Sequence, residues 1–227
     1  MQTTTSANEA AYRHLKHQIL TGELAPGQEV NEISLSEESK FGRTPVREAL
    51  RRLVHDGYME VRPRRGYRVS TVTVDTVREL FEMRALLEPA AVELAIERAT
   101  DDELAGLHEL AHTRHEFDDR AGYEKFLSDN RDLHVRLAEL GGNARLAKAL
   151  RQVLEEMQRL LFVIGGPNIA FEQPHEHEDL FDAIRARDAE TSRKIVLDQI
   201  ESSRQRVMRA LVDGAAGRYR TTLGVVL

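Results

Sequence analysis

The chain has 227 residues, of which 41% are hydrophobic and 31% charged, enough for two modest domains with real cores and too polar for a membrane protein. No apolar run reaches the roughly 18–20 residues of a membrane span, the N-terminus lacks the apolar core of a secretory signal, and the absence of cysteine excludes disulfides and thiolate metal sites; a cytoplasmic protein is expected. The net charge of −6 is unevenly spread, with 11 Lys/Arg against 9 Asp/Glu in residues 1–70 and 21 against 29 in residues 71–227, so a basic module precedes an acidic body.

In chain order, Glu9 to Thr21 is expected to be a helix, with Ala11, Leu15, Ile19 and Leu20 on one face. Gly22-Glu23-Leu24-Ala25-Pro26-Gly27 breaks it with a tight turn. Val30 suits a short β-segment, and Asn31 is placed to cap a second helix from Glu32 to Lys40. Phe41-Gly42 then turns the chain into the stretch GRTPVREALRRL, residues 42–53. There Thr44 suits an N-cap and Pro45 the first helical position, while Val46, Ala49, Leu50 and Leu53 fall on one apolar face. Arg43, Thr44 and Arg47 lie at the exposed N-terminal end, the part that a helix-turn-helix inserts into the major groove. Taken alone, the same stretch also fits an ordinary amphipathic helix with a solvated basic face.

His55-Asp56-Gly57 ends this helix. Two extended runs follow, Tyr58 to Val61 and Gly66 to Val69, joined by Arg62-Pro63-Arg64-Arg65. Residues 40–68 hold nine basic and three acidic side chains. A helix-turn-helix followed by a basic hairpin makes a winged helix, whose wing offers Arg62, Arg64 and Arg65 to phosphates or the minor groove. Gly66 would let backbone approach closely there.

These residues resemble the GntR-type transcription regulators. The matching features are Gly22-Glu23-Leu24-x-Pro26-Gly27, Arg43-Thr44-Pro45-Val46-Arg47-Glu48-Ala49-Leu50-Arg51-Arg52-Leu53, Gly57, and Arg64-x-Gly66-x-x-Val69, within residues 9–70. The resemblance implies DNA contacts from Arg43, Thr44, Arg47 and Gly66. Gly42 departs from it, because the family usually has serine there and a phosphate-contacting hydroxyl is absent.

Beyond Asp75 the pattern is helical throughout. Asp75 opens a long helix to about Ala99 with Leu80, Leu87, Ala91, Leu94 and Ala95 on its apolar side, and Pro89 should kink it. Thr100-Asp101-Asp102-Glu103 is a capping box for a second helix to about Asp119. A third runs from Tyr123 to Leu140, and Asn143 caps a fourth to Ile164. A fifth spans Pro174 to Arg187, and Asp188 starts a sixth to Val212. The fold class expected is mainly α: a winged helix-turn-helix over residues 1–72, an all-α antiparallel six-helix bundle over 73–213, and a tail, 214–227, that either docks on a partner subunit or is disordered.

Behind such a head, the six helices resemble the FCD ligand-binding domain of the FadR subfamily, closer to its VanR-like branch. The motif residues are Glu82-Met83-Arg84-x-x-Leu87-Glu88-Pro89, Asn130-x-x-x-His134, Gly142-Asn143 and His177-x-x-Leu180-x-x-Ala183-Ile184-x-x-x-Asp188. The resemblance implies a metal site at Asn130, His134, His177 and Gln199. Asn130 and Gln199 stand where the family has an acid and a histidine, and neutral amides are weaker zinc ligands. A held zinc, a weakly held divalent ion and a metal-free polar pocket all stay open. His108, His112 and His115 have zinc-like spacing too, and are read as a solvated face.

The same resemblance implies a small carboxylate effector, with Arg84 as its clamp and Asn130, His134, Asn143, His177 and Gln199 as further polar contacts. Arg84 could instead pair internally with Glu88. The function expected is a ligand-responsive, DNA-binding regulator, a homodimer on a palindromic operator, with repression relieved by ligand as the family's usual direction and activation left open. A constitutive DNA binder without effector is the alternative. A metal-dependent enzyme is disfavoured, since no nucleophile elbow, phosphate loop or HExxH motif accompanies the histidines.

Overall fold

The computed structural model describes residues 6–111, 120–164 and 176–215. It divides into two compact units, the first running to Thr73 and the second starting at Val74.

The first unit contains α1 (Ala7–Leu20), β1 (Glu29–Val30), α2 (Glu32–Ser39), α3 (Arg43–His55), β2 (Met59–Arg62) and β3 (Gly66–Val69). Ser6 starts α1 by accepting the Glu9 N–H at 3.3 Å, and Asn31 starts α2 by accepting the Ser34 N–H at 2.9 Å. Ala11, Leu15 and Ile19 of α1 share one core with Val46, Ala49, Leu50 and Leu53 of α3. All four α3 residues are at most 1% exposed, so the spacing read from sequence is the core face.

The start of α3 differs from expectation. Gly42 is the N-cap, with φ −66° and ψ 161°, and the helix begins at Arg43. Thr44 and Pro45 therefore sit inside the first turn. Proline is tolerated there because the first N–H bonded within the helix is that of Val46, to the Gly42 carbonyl at 3.2 Å. A glycine cap offers no side-chain acceptor, and no side-chain cap hydrogen bond is made. The far end closes as a Schellman motif: Gly57, at φ +84°, donates to the Val54 carbonyl, and Tyr58 donates to that of Leu53.

The three strands form one antiparallel sheet in the order β1-β3-β2, with Val30 opposite Tyr67 and Met59 opposite Val69. At the wing tip the Arg65 N–H bonds the Arg62 carbonyl at 2.9 Å, and Arg64 occupies the left-handed region at φ +66°. Gly66, at φ +99°, passes so close to β1 that a Cβ would lie 2.6 Å from the Val30 carbonyl oxygen. The close approach this glycine permits is to the protein's own backbone, whatever else its peptide meets.

The second unit holds α4 (Val74–Arg98), α5 (Asp101–Ala111), α6 (Arg120–Leu140), α7 (Ala144–Ile164), α8 (Glu176–Arg185) and α9 (Ala189–Ala215), and no strand among the described residues. Thr100 and Glu103 exchange cap hydrogen bonds at the start of α5. Asn143 caps α7, and Asp188 caps α9 by accepting the Thr191 N–H at 3.0 Å. Arg187, in the left-handed region at φ +57°, donates its guanidinium to the Ile96 and Ala99 carbonyls at the end of α4 and to Asp101. This closes orphaned helix carbonyls with a cation. Ala91 of α4, Val135 and Ala138 of α6, and Leu150 and Leu154 of α7 form a shared core. Pro89 is buried within α4, and the helix continues past it.

Several expectations fall outside the described residues: the end of the second bundle helix with His112 and His115, the start of the fifth at Pro174, and the tail beyond residue 215. No helix of the described residues is long and apolar enough to cross a membrane.

Candidate functional site

Two groups of side chains carry the chemistry, one in each unit. In the first, α3 bears four arginines, of which Arg51 pairs with Glu48 at 2.8 Å and Arg52 with Glu9 at 2.6 Å. Arg52 also lies 3.7 Å from the centroid of the Tyr12 ring, so it serves the α1–α3 contact. Arg47 is held by Glu32 of α2 through two parallel bonds, Nε to Oε2 at 2.9 Å and Nη2 to Oε1 at 2.7 Å. Arg43, one turn earlier and exposed, has no ion-pair partner among the described residues. Asn31, Glu32, Ile33, Ser34, Arg43 and Arg47 line a surface groove of about 660 Å³. The bond from Arg47, followed by the charges of Arg47, Arg43 and Arg51, holds the Glu32 carboxyl below the ordinary glutamate range.

On the wing, Arg62 and Arg64 likewise have no ion-pair partner among the described residues, and Arg65 lies 3.9 Å from Glu29. Arg68 is tied to Glu60 at 2.6 Å. Of the arginines expected to meet DNA, Arg43, Arg62 and Arg64 have no acid partner among the described residues, whereas Arg47 and Arg65 face acids of the same unit.

In the second unit Arg84 is fully buried and Glu88 is 3% exposed. They are one turn apart on α4 and bond through Arg84 Nε to Glu88 Oε1, with Nη2 to Oε2 at 3.4 Å. This is the internal pairing that the sequence left open as an alternative to an effector clamp. The other face of the carboxylate meets His134 of α6, whose Nδ1 lies 3.4 Å from Glu88 Oε2. One turn before His134, Asn130 is 7% exposed, and its Oδ1 accepts no hydrogen bond from any described residue. Tyr123, two turns further back on α6, has a buried hydroxyl that is also unbonded among the described residues. Burial pushes its phenol well above the ordinary value, so it stays protonated. Gln199 is buried on α9, flanked along the helix by Ser192 and Ser203, whose buried hydroxyls have no partner among the described residues.

Asn143 does not join this group. It is exposed, and its Oδ1 accepts the Leu146 N–H at 3.2 Å, which commits that oxygen to the helix cap and leaves the Nδ2 donors for other contacts. His177 lies in the first turn of α8, with its side chain outside the described residues. Of the ligands expected from the sequence, those described are one imidazole and two neutral amides, and no group of three or more His, Asp or Glu able to hold an ion occurs among the described residues. Without His177 that set is a weak one for zinc, which favours histidine nitrogen and carboxylate.

Sequence reasoning missed two participants. Glu32 stands in the sequence only as the start of the second helix, and its reach to Arg47 depends on how α2 crosses α3. Glu88 was seen as a partner for Arg84, but its contact with His134 needs α4 and α6 side by side.

The geometry has known counterparts. The model of the bacterial regulatory proteins of the gntR family matches residues 7–69, and that of the FCD domain matches residues 79–202. The Nta operon transcriptional regulator of Aminobacter aminovorans is 35% identical over 133 residues, 59% of this chain and 63% of that protein's length. The HTH-type transcriptional regulator YdhC of Bacillus subtilis (strain 168) is 28% identical over 206 residues, covering 89% of this chain and 92% of the relative. The solved structure of E. coli McbR/YncC superposes with a TM-score of 0.74 at 25% identity, over 91% of this chain and 99% of that one. The chain belongs to the GntR family of bacterial regulatory proteins, as a ligand-responsive, DNA-binding transcription regulator with a winged helix-turn-helix and an FCD domain, and not as an enzyme.

Proposed function

We propose that this chain is a cytoplasmic, homodimeric repressor of the FadR subfamily, nearest its VanR-like branch, that leaves a palindromic operator when its FCD domain takes up a small organic acid. In the reading head, Arg43, Thr44 and Arg47 meet base edges and phosphates in the major groove. Arg62, Arg64 and Arg65 on the wing, with the Gly66 backbone, follow the phosphate backbone or minor groove. In the FCD domain, Arg84, Asn130, His134 and Gln199 surround the effector, with His177 contributing from α8. No divalent ion is assigned a step.

One observation carries the effector reading: an ion pair, Arg84 and Glu88, with the His134 ring against its carboxylate, buried inside a helical unit next to an amide oxygen that is unbonded among the described residues. Burying charge and an unmatched acceptor is costly, and such groups concentrate where a protein binds something polar. A panel of small mono- and dicarboxylates, each paired with its primary amide, tests the reading on the full chain bound to a labelled operator duplex. Carboxylates are expected to release the duplex and raise the unfolding temperature, and the amides to do neither. Equal effects from acids and amides would remove the carboxylate assignment. Indifference to the whole panel would favour a constitutive DNA binder.

A further inference from the structure

We infer that Glu32 is a specificity-determining residue that holds Arg47 in the one orientation able to read a guanine, an inference resting on the base contact proposed for Arg47. A guanidinium carries five N–H donors and two edges able to make paired bonds. Glu32 occupies one edge, through Nε at 2.9 Å and Nη2 at 2.7 Å. The other edge, formed by Nη1 and the remaining hydrogen of Nη2, is the geometry that grips the O6 and N7 acceptors of guanine. A fork fixed on one side by a carboxylate has fewer orientations to lose when the other side docks.

The placement of the pair fits this role. Arg47 remains 47% exposed although tied, whereas Glu32 is the more covered partner at 22%. The carboxylate thus stands behind the arginine and leaves the outer edge to solvent. Arg43, on the same face one turn earlier, has no such support among the described residues and keeps the freedom that suits a phosphate contact. Glu32 also brings a negative charge beside the DNA path. That charge disfavours Arg47 swinging onto a phosphate and weakens binding to arbitrary sequence, so selectivity rises as general affinity falls.

The alternative is that Glu32 masks Arg47 and must let go before DNA binds. The two readings predict opposite results for the same variants. Selection from a random duplex pool with the wild-type chain yields its preferred sequence. Competition by fluorescence anisotropy against every single-base-pair change then gives discrimination at each position. Arg47→Ala is expected to erase discrimination at one base pair of each half-site. Glu32→Ala and Glu32→Gln should lose about tenfold at that same pair, while binding to unrelated duplex holds or tightens. The double variant Glu32→Ala/Arg47→Ala should discriminate no worse than Arg47→Ala alone. Full discrimination by Glu32→Ala at the pair that Arg47→Ala erases overturns the inference, as does tighter operator binding with selectivity intact. If Arg47→Ala itself leaves every position unchanged, the base contact fails and Glu32 falls with it.

Discussion

The two units each contain an arginine held by two bonds to a glutamate, and the environments make them different devices. Arg47–Glu32 sits at the surface of the winged helix, half open to water. Arg84–Glu88 lies inside the helical unit with both side chains buried. An exposed pair contributes little to folding because water serves either partner nearly as well. A buried pair has no such substitute, so removing one member strands the other. The surface pair can therefore be altered to change recognition alone, whereas the buried pair cannot be altered without the fold answering first.

The largest effect follows from that asymmetry. Arg84→Ala leaves Glu88 buried beside His134 without its main counterion, and a loss of about 3–5 kcal/mol is expected in chemical denaturation. The double variant Arg84→Met/Glu88→Leu should lie well closer to wild type, since a buried pair is often replaceable by apolar volume. A double variant no more stable than Arg84→Ala would mean the pair is more than self-cancelling charge. It follows that Arg84→Ala is a poor probe of effector binding, and Asn130→Ala, which removes an acceptor without stranding a charge, is the better one.

Gly66→Ala comes next. Its φ of +99° and the 2.6 Å approach to the Val30 carbonyl leave no room for a methyl group, and strain of about 1–3 kcal/mol should appear in the melting of the first unit. A variant as stable as wild type would show that β1 moves aside freely. Asn143→Ala ranks third. It removes the side-chain acceptor at the start of α7, at about 1 kcal/mol, and should leave effector response unchanged. Loss of response with stability intact would point to a ligand contact from Asn143.

Legibility from sequence follows the same division. The apolar faces and caps were readable because they depend on residues within one or two turns, as with Val46, Ala49, Leu50 and Leu53, or Thr100 and Glu103. The N-terminus of α3 was misplaced because Thr44 is a good cap in general, while the backbone put extended geometry at Gly42. Both glutamates that matter most were invisible in their long-range roles. Glu32 lies fifteen residues from Arg47, and Glu88 reaches His134 only because α4 and α6 pack together. Periodicity tells which face of a helix is buried and nothing about which neighbour it meets.

The smallest effect is the most exacting for the surface pair. Glu32→Ala should lower the unfolding midpoint by no more than about 3 °C, because the pair it breaks is solvated. A titration shows whether that weak pair exists in solution. Bonding from Arg47, then the charges of Arg47, Arg43 and Arg51, depresses the folded-state value of Glu32. The pair's contribution is therefore complete above the unfolded glutamate value and is lost as pH falls through the depressed folded one. Followed by the side-chain carboxyl carbon in NMR, Glu32 in the wild type should titrate below ordinary glutamates. In Arg47→Ala it should move back up toward them, because the bond to Arg47 and the charge of Arg47 both vanish and only the charges of Arg43 and Arg51 remain. A Glu32 that titrates alike in both proteins has no partner in solution, and then nothing holds the Arg47 fork before DNA arrives.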